Sequence, residues 1–168
     1  MAVGILRRFV QSRSMPLVVT RAEPSDFAEI REMLAEYAAW VAIDLSFQGF
    51  AREVRDLPGE YTPPGGGLYI ARLHHVAVGM VAFRTCGDAC AEMKRLYVRT
   101  TARGSGVGWR LIETVLAAAR ARGHHTMVLD TLPIMHSAQR MYEQFGFRDI
   151  APYYASPIDG TRFMAKTL

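Results

Sequence analysis

Six residues, Arg103-Gly-Ser-Gly-Val-Gly108, carry the clearest chemistry in the chain. The backbone N–H groups of a helix's first turn have no intrahelical partners and lie at its positive end, so a glycine-rich turn that opens a helix is a site for an anion. Glycines at 104, 106 and 108 leave no side chain between those N–H groups and a bulky diphosphate, and Arg103 adds a full positive charge. A flexible loop before an ordinary helix is the plainer alternative. Glycine is a poor residue for a first helical turn unless close backbone approach is needed, and this favours the anion.

The elements that must position this turn are legible on both sides of it. Met93-Lys-Arg-Leu-Tyr-Val98 reads as a strand leading in, with Arg99-Thr-Thr101 as a polar link. Beyond it, apolar residues at Val107, Leu111, Ile112, Val115, Leu116 and Ala119 mark one face of a helix that Arg120, Arg122 and Gly123 close. The spacing excludes two familiar phosphate sites. A P-loop requires G-x-x-x-x-G-K-[ST], but the fifth residue after Gly104 is Trp109 and no Lys follows. In a dinucleotide fingerprint running from Gly104, Trp109 would occupy the third glycine position, and Asp130 as a partial match for the ribose ligand does not offset that.

What remains is R-x-x-G-x-G, and here the chain resembles the GNAT superfamily of acyl-CoA-dependent N-acyltransferases. A second block carries the same resemblance: Leu129-Asp-Thr131, then Ala138-Gln-Arg-Met-Tyr142-Glu-Gln-Phe-Gly146-Phe147, similar to A-x-x-L-Y-x-x-x-G-F. The strong part covers roughly residues 92–147. The resemblance implies an α/β (α+β) fold, a single domain whose mixed, mostly antiparallel twisted sheet of about six to seven strands is flanked by helices. It implies an N-acetyltransferase that moves an acetyl or other acyl group from acetyl-CoA to an amine of a small molecule, protein or peptide by direct attack on the thioester. A non-catalytic acyl-CoA sensor or interaction module is the alternative.

Site residues follow from the same resemblance. Arg103, Gly104, Ser105, Gly106, Val107 and Gly108 are expected to hold the coenzyme A pyrophosphate, and the backbone of Leu96 and Val98 the pantetheine amides, because a strand splayed from its neighbour leaves its N–H and C=O groups free. Related sequences often carry Asn shortly before Ala138. Here Ser137 or His136 substitutes, or the contact is through backbone alone. An alkylamine with a pKa near ~10.4 is mostly protonated at pH 7, so something must take a proton. Glu92 lies where several family members place a carboxylate base, acting directly or through water, and Tyr142 falls on the tyrosine that protonates the departing thiolate. A surface glutamate and a core tyrosine are the competing readings.

Composition bounds the rest. The 168 residues suit one domain, 15–168, and half of them are hydrophobic. The net charge of +4 is modest, and its one basic cluster, Lys94, Arg95, Arg99 and Arg103, surrounds the proposed phosphate site, which suits a polyanionic cosubstrate rather than nucleic acid. Cys86 and Cys90 bracket a hairpin loop and read as reduced, structural thiols. Neither they nor His74-His75 and His124-His125 have metal-ligand spacing. Residues 1–14, with Arg7, Arg8 and Arg13 and no acid, read as a disordered extension lacking the apolar core of a secretory signal. No apolar run approaches the ~20 residues of a membrane span, and a cytoplasmic location is expected. A homodimer is left open.

In chain order, Leu17-Val-Val-Thr20 is a first strand and Pro24-Ser-Asp26 starts a helix marked by Phe27, Ile30, Leu34, Tyr37 and Val41. A second helix is expected over about 47–57, and the resemblance makes residues 44–61 candidates for acceptor contacts, with plain connecting structure as the equal alternative; the pocket in question lies between them and Tyr153-Tyr154. Strands at 68–71 and 76–83 join through a tight His74-His75 turn. In the strand from 91 to 98, simple alternation puts Glu92, Lys94, Leu96 and Val98 on one side, unless the bulge typical of the family changes the parity. Residues 126–131 form the next strand, Ala138, Met141, Tyr142 and Phe145 a short helix, and 147–150 and 163–166 the last strands.

Overall fold

A computed structural model describes residues 17–168, and the extension expected at 1–14 lies outside them. The elements are β1 (Leu17–Arg21), α1 (Phe27–Val41), α2 (Phe50–Arg55), β2 (Gly67–Leu73), β3 (Val76–Gly87), β4 (Cys90–Val98), α3 (Val107–Ala121), β5 (Thr126–Thr131), α4 (His136–Gln144), β6 (Arg148–Asp149) and β7 (Arg162–Thr167). They form one seven-stranded sheet in the order β1-β2-β3-β4-β5-β7-β6, antiparallel throughout except where β4 meets β5. The second helix is shorter than the sequence suggests: a single 3-10 turn at Ser46–Gln48 and the left-handed Gly49 precede α2.

Each face of the sheet carries its own core. On one, α3 buries Val107, Leu111, Ile112, Val115, Leu116 and Ala119 against Val81, Met93, Met127 and Leu129. On the other, α1 buries Ile30, Met33, Leu34, Tyr37 and Val41 against Ile70, Met80 and Tyr97. The strict helical spacing of those residues explains why both helices lie flat on the sheet.

Three turns fix the register. His74 and His75 both have positive φ, 54° and 67°, the backbone of a two-residue hairpin turn whose twist matches the flanking strands. At the far end of β3, the hairpin through Gly87, Asp88 and Ala89 brings Cys86 and Cys90 to a Cα separation of 5.4 Å, where they are joined as a disulfide. This corrects the expectation of free thiols: reversal of the chain closes a gap that the sequence leaves at four residues. Finally, Arg95 has φ 58° and the β3–β4 register slips between Met80 and Ala82, which makes a β-bulge. Ala91, Met93, Leu96 and Val98 consequently face α3, whereas Arg95 and Tyr97 face α1. Simple alternation fails at this point, and Glu92 does not share a face with Leu96 and Val98.

Candidate active site

The site originates in the one parallel pair. Strands β4 and β5 are in register only through Cys90↔Thr126, Ala91↔Met127 and Glu92↔Val128, after which they are no longer paired and a cleft opens at their C-terminal ends. Ligands of open α/β sheets bind at such positions, where backbone groups are released from the ladder. A cavity of about 620 Å³ fills the gap, and Leu96 and Val98 line it from β4.

Of the remaining residues expected at the coenzyme, Arg103, Gly104, Gly106, Val107, Gly108 and Ser137 line this cavity, together with His136. Ser105 does not; its Oγ donates to the Ala102 carbonyl at 2.6 Å and ties the turn together. The glycines serve two purposes. Gly104 and Gly106 have φ of 81° and 83°, with open space where a Cβ would be, so the left-handed backbone requires glycine there and Gly106 caps α3. At Gly108 a Cβ would meet the Met141 methyl at 3.1 Å, so this glycine lets α4 pack against α3. The Arg103 Nε donates to the Val98 carbonyl at 3.2 Å, and its guanidinium lies 4.9 Å from the Trp40 ring centroid. Trp40, at the end of α1, is a wall of the cavity that nothing in the motif indicated.

Deeper in, Leu96 and Met135 also line a chamber of about 30 Å³, room for one water, into which Tyr142, Lys94, Arg95, Asp130, Tyr37 and Gln48 converge. Tyr142 is buried, with its ring edge-on to Phe147 at 5.7 Å. Burial, with Tyr37 and Asp130 nearby, raises its phenol above the ordinary value, so it stays protonated at neutral pH. Gln48 belongs to a third cavity as well, about 430 Å³, between α2 and Arg84. Much of that lining comes from residues 48–61, within the stretch expected to meet the acceptor.

Glu92 is 4% exposed and lines none of these three cavities. Its carboxylate accepts from Arg84 Nε at 2.8 Å, Tyr153 Oη at 3.0 Å and Lys94 Nζ at 3.4 Å. Lys94 in turn donates to Asp130 Oδ1 at 2.9 Å. Beside them, Arg95 engages Glu53 through Nε at 2.8 Å and Nη2 at 2.6 Å, with Nη1 on Gln48 at 2.8 Å, and lies over the Phe50 ring. Asp130 and Gln48 stand beside Tyr154, whose buried hydroxyl makes no hydrogen bond in normal geometry with the described residues. Tyr153 and Tyr154 pack edge-on against Phe163, with ring centroids at 5.1 and 5.0 Å.

Residues 27–147 match the model of the acetyltransferase (GNAT) family. An uncharacterised N-acetyltransferase of Schizosaccharomyces pombe is 37% identical over 143 residues, 84% of this chain and 88% of that one. A Klebsiella pneumoniae structure described as an acyl-CoA N-acyltransferase superposes with a TM-score of 0.73 at 28% identity, covering 90% of this chain and 97% of that one. The PaiA N-acetyltransferase of Thermoplasma acidophilum, solved with coenzyme A, shares the fold at a TM-score of 0.71 and 15% identity, over 92% of this chain and all of that one. With the family's span enclosing the parted strands, the glycine turn and the tyrosine chamber alike, this chain belongs to the GNAT acetyltransferases and is an acetyl-CoA-dependent acyltransferase.

Proposed function

We propose that the 620 Å³ cavity receives acetyl-CoA with its diphosphate on the Arg103–Gly108 turn, and that the acetyl group reaches the mouth of the small chamber, between Leu96 and Met135, to meet a primary amine arriving from the Gln48 side. The cosubstrate supplies the activated acyl carbon. The protein supplies placement, an anion cradle at the start of α3, and protons. One observation carries the reading: among the described residues the larger cavity and the chamber share Leu96 and Met135 as lining, so the two adjoin and Tyr142 stands in the chamber just beyond the long pocket.

Tyr142 acts as the acid that protonates the departing thiolate. Its phenol is kept protonated by burial, and it reaches the chamber from α4. Glu92 assists through Lys94, since its three partners hold it outside the chamber. The amine belongs to a small molecule or a peptide end.

The test is thiol release from acetyl-CoA with a panel of amines, run on the native protein and on Tyr142→Phe. Phe keeps the ring volume, so the helix still packs. Native protein is expected to release thiol with at least one amine. The variant should lose roughly 10²–10⁴-fold in kcat and kcat/KM together, with acetyl-CoA affinity unchanged. Full turnover by Tyr142→Phe would make the tyrosine a packing residue.

A further inference from the structure

Beyond the residues already assigned, the chamber holds one carboxylate that lines it directly. We infer that Asp130 is the group that removes the proton from the acceptor's ammonium, with Lys94 as the residue that positions it.

Strand register sets where Asp130 stands. The last paired residues of the parallel seam are Glu92 and Val128. Two residues further along each strand stand Lys94 and Asp130, and their 2.9 Å ion pair spans the throat where the backbone ladder has just ended. The pair is thus the floor of the cleft. Leu129 points into the α3 core, so its neighbour Asp130 is turned to the other face, toward Tyr37 and Gln48. Asp130 and Lys94 have side chains 10% and 8% exposed, and both line the chamber with Tyr142.

A buried carboxylate carries a large desolvation cost unless it is compensated, and here a single lysine compensates Asp130. Asp130 Oδ1 accepts from Lys94, and the Tyr154 hydroxyl, the other polar group standing against this carboxylate, is not in normal hydrogen-bond geometry with it. The other carboxylates nearby are spent. Glu53 takes both arms of the Arg95 fork and the Tyr61 hydroxyl, and Glu92 takes Arg84, Lys94 and Tyr153. Gln48, which lines both the chamber and the outer groove, marks the side from which an amine comes to Asp130.

The proton balance closes. The ammonium N–H bond breaks and its proton passes to Asp130, leaving the nitrogen lone pair to form the bond to the thioester carbonyl carbon. The C–S bond breaks with its electrons on sulfur, which takes the Tyr142 proton. Tyr142 is reprotonated by the second proton that the nitrogen sheds, and Asp130 returns its own to solvent. The products are the acetamide, the free thiol and one proton.

This inference rests on the acetyl-transfer reading, and the experiment separates the two. The rate of thiol release from acetyl-CoA is measured between pH 6 and 10 with spermidine, 2-phenylethylamine, L-aspartate and glycylglycine, for native protein and Asp130→Asn. Asn keeps the shape and still accepts from Lys94. Asp130→Asn is expected to lose at least ~100-fold in kcat/KM with an alkylamine at pH 7, to recover as pH approaches the pKa of the amine used, ~10.4 for an alkylamine and ~8 for the peptide α-amine, and to keep native acetyl-CoA affinity by calorimetry. A pH profile parallel to the native one, whether at full rate or uniformly lowered, overturns the inference, because a merely structural Asp130 lowers the rate at every pH alike. Should Asp130→Asn not fold, Asp130→Ala with added formate decides: saturable rescue supports the base, and its absence refutes it. Native protein that binds acetyl-CoA but releases no thiol with any of these amines refutes acetyl transfer itself, and this inference with it.

Discussion

Glu53 and Arg95 form a buried, bidentate pair in which the arginine side chain is 3% exposed and the glutamate 16%. Burial alone would raise the Glu53 carboxyl, but hydrogen bonds and charge from Arg95, with Tyr61 donating at 2.7 Å, outweigh it and hold the group below its ordinary 4.5. A carboxylate depressed in the folded state binds fewer protons there than in the unfolded chain. Its contribution to stability is therefore full above about pH 4.5 and is lost as pH falls through the folded value. Removing it leaves Arg95 with no ionic partner among the described residues. Glu53→Gln is expected to cost about 3–5 kcal/mol at neutral pH, with the gap from native protein narrowing in acid below pH 4.5. Urea unfolding at pH 7 and below pH 4.5 checks this, and a gap independent of pH would show that the charge is not what Glu53 contributes.

The β4–turn–α3 unit is where the motif and the structure can be compared. Strand β5 matches its expected bounds, 126–131, and α3 follows the apolar period, because both bury one side against a continuous core and the pattern records that burial. The bulge at Arg95 is not written in Met93-Lys-Arg-Leu-Tyr-Val98: nothing in an arginine announces a positive φ, and the conformation is imposed by Glu53 and Gln48 arriving from α2 and the turn before it. Trp40 was illegible as a site residue for a related reason, since it reaches the cleft from α1, far away in sequence, whereas Asp130 stands on β5 itself and was illegible because nothing in Leu129-Asp-Thr131 says where β5 parts from β4. At Gly106 a side chain would strain the left-handed turn, and Asp and Asn tolerate that turn about equally. Gly106→Asp should therefore bind acetyl-CoA at least tenfold more weakly than Gly106→Asn, the difference being the charge placed beside the diphosphate. Calorimetry on the two variants decides it, and equal affinities would move the diphosphate away from the turn.

At the scale of the molecule the two cores differ in what they support. The α3 core is apolar and holds the coenzyme turn, whereas the α1 face combines Tyr37, Tyr61 and Tyr97 with the buried charges of Arg95 and Glu53. On the proposed reading the coenzyme lies on the α3 side and Asp130 and Lys94 on the α1 side, while Tyr142, which belongs to the α3 core, reaches the chamber at the gap between β4 and β5. Among the described residues no helix is long and apolar enough to cross a membrane.

A seam of three paired residues also sets a clock. Past Glu92 and Val128, β4 stays paired with β3 and β5 with β7, but the amide protons that point across the gap have no ladder partner there and should trade for deuterium quickly in the free protein. A ligand arm lying between the strands replaces the missing partners. Adding coenzyme A is expected to slow deuterium uptake in peptides spanning 94–99 and 129–135, and to leave 67–83, in the fully paired β2–β3 hairpin, unchanged. Uptake at 94–99 that ignores coenzyme A would mean that the parted strands are not what grips it.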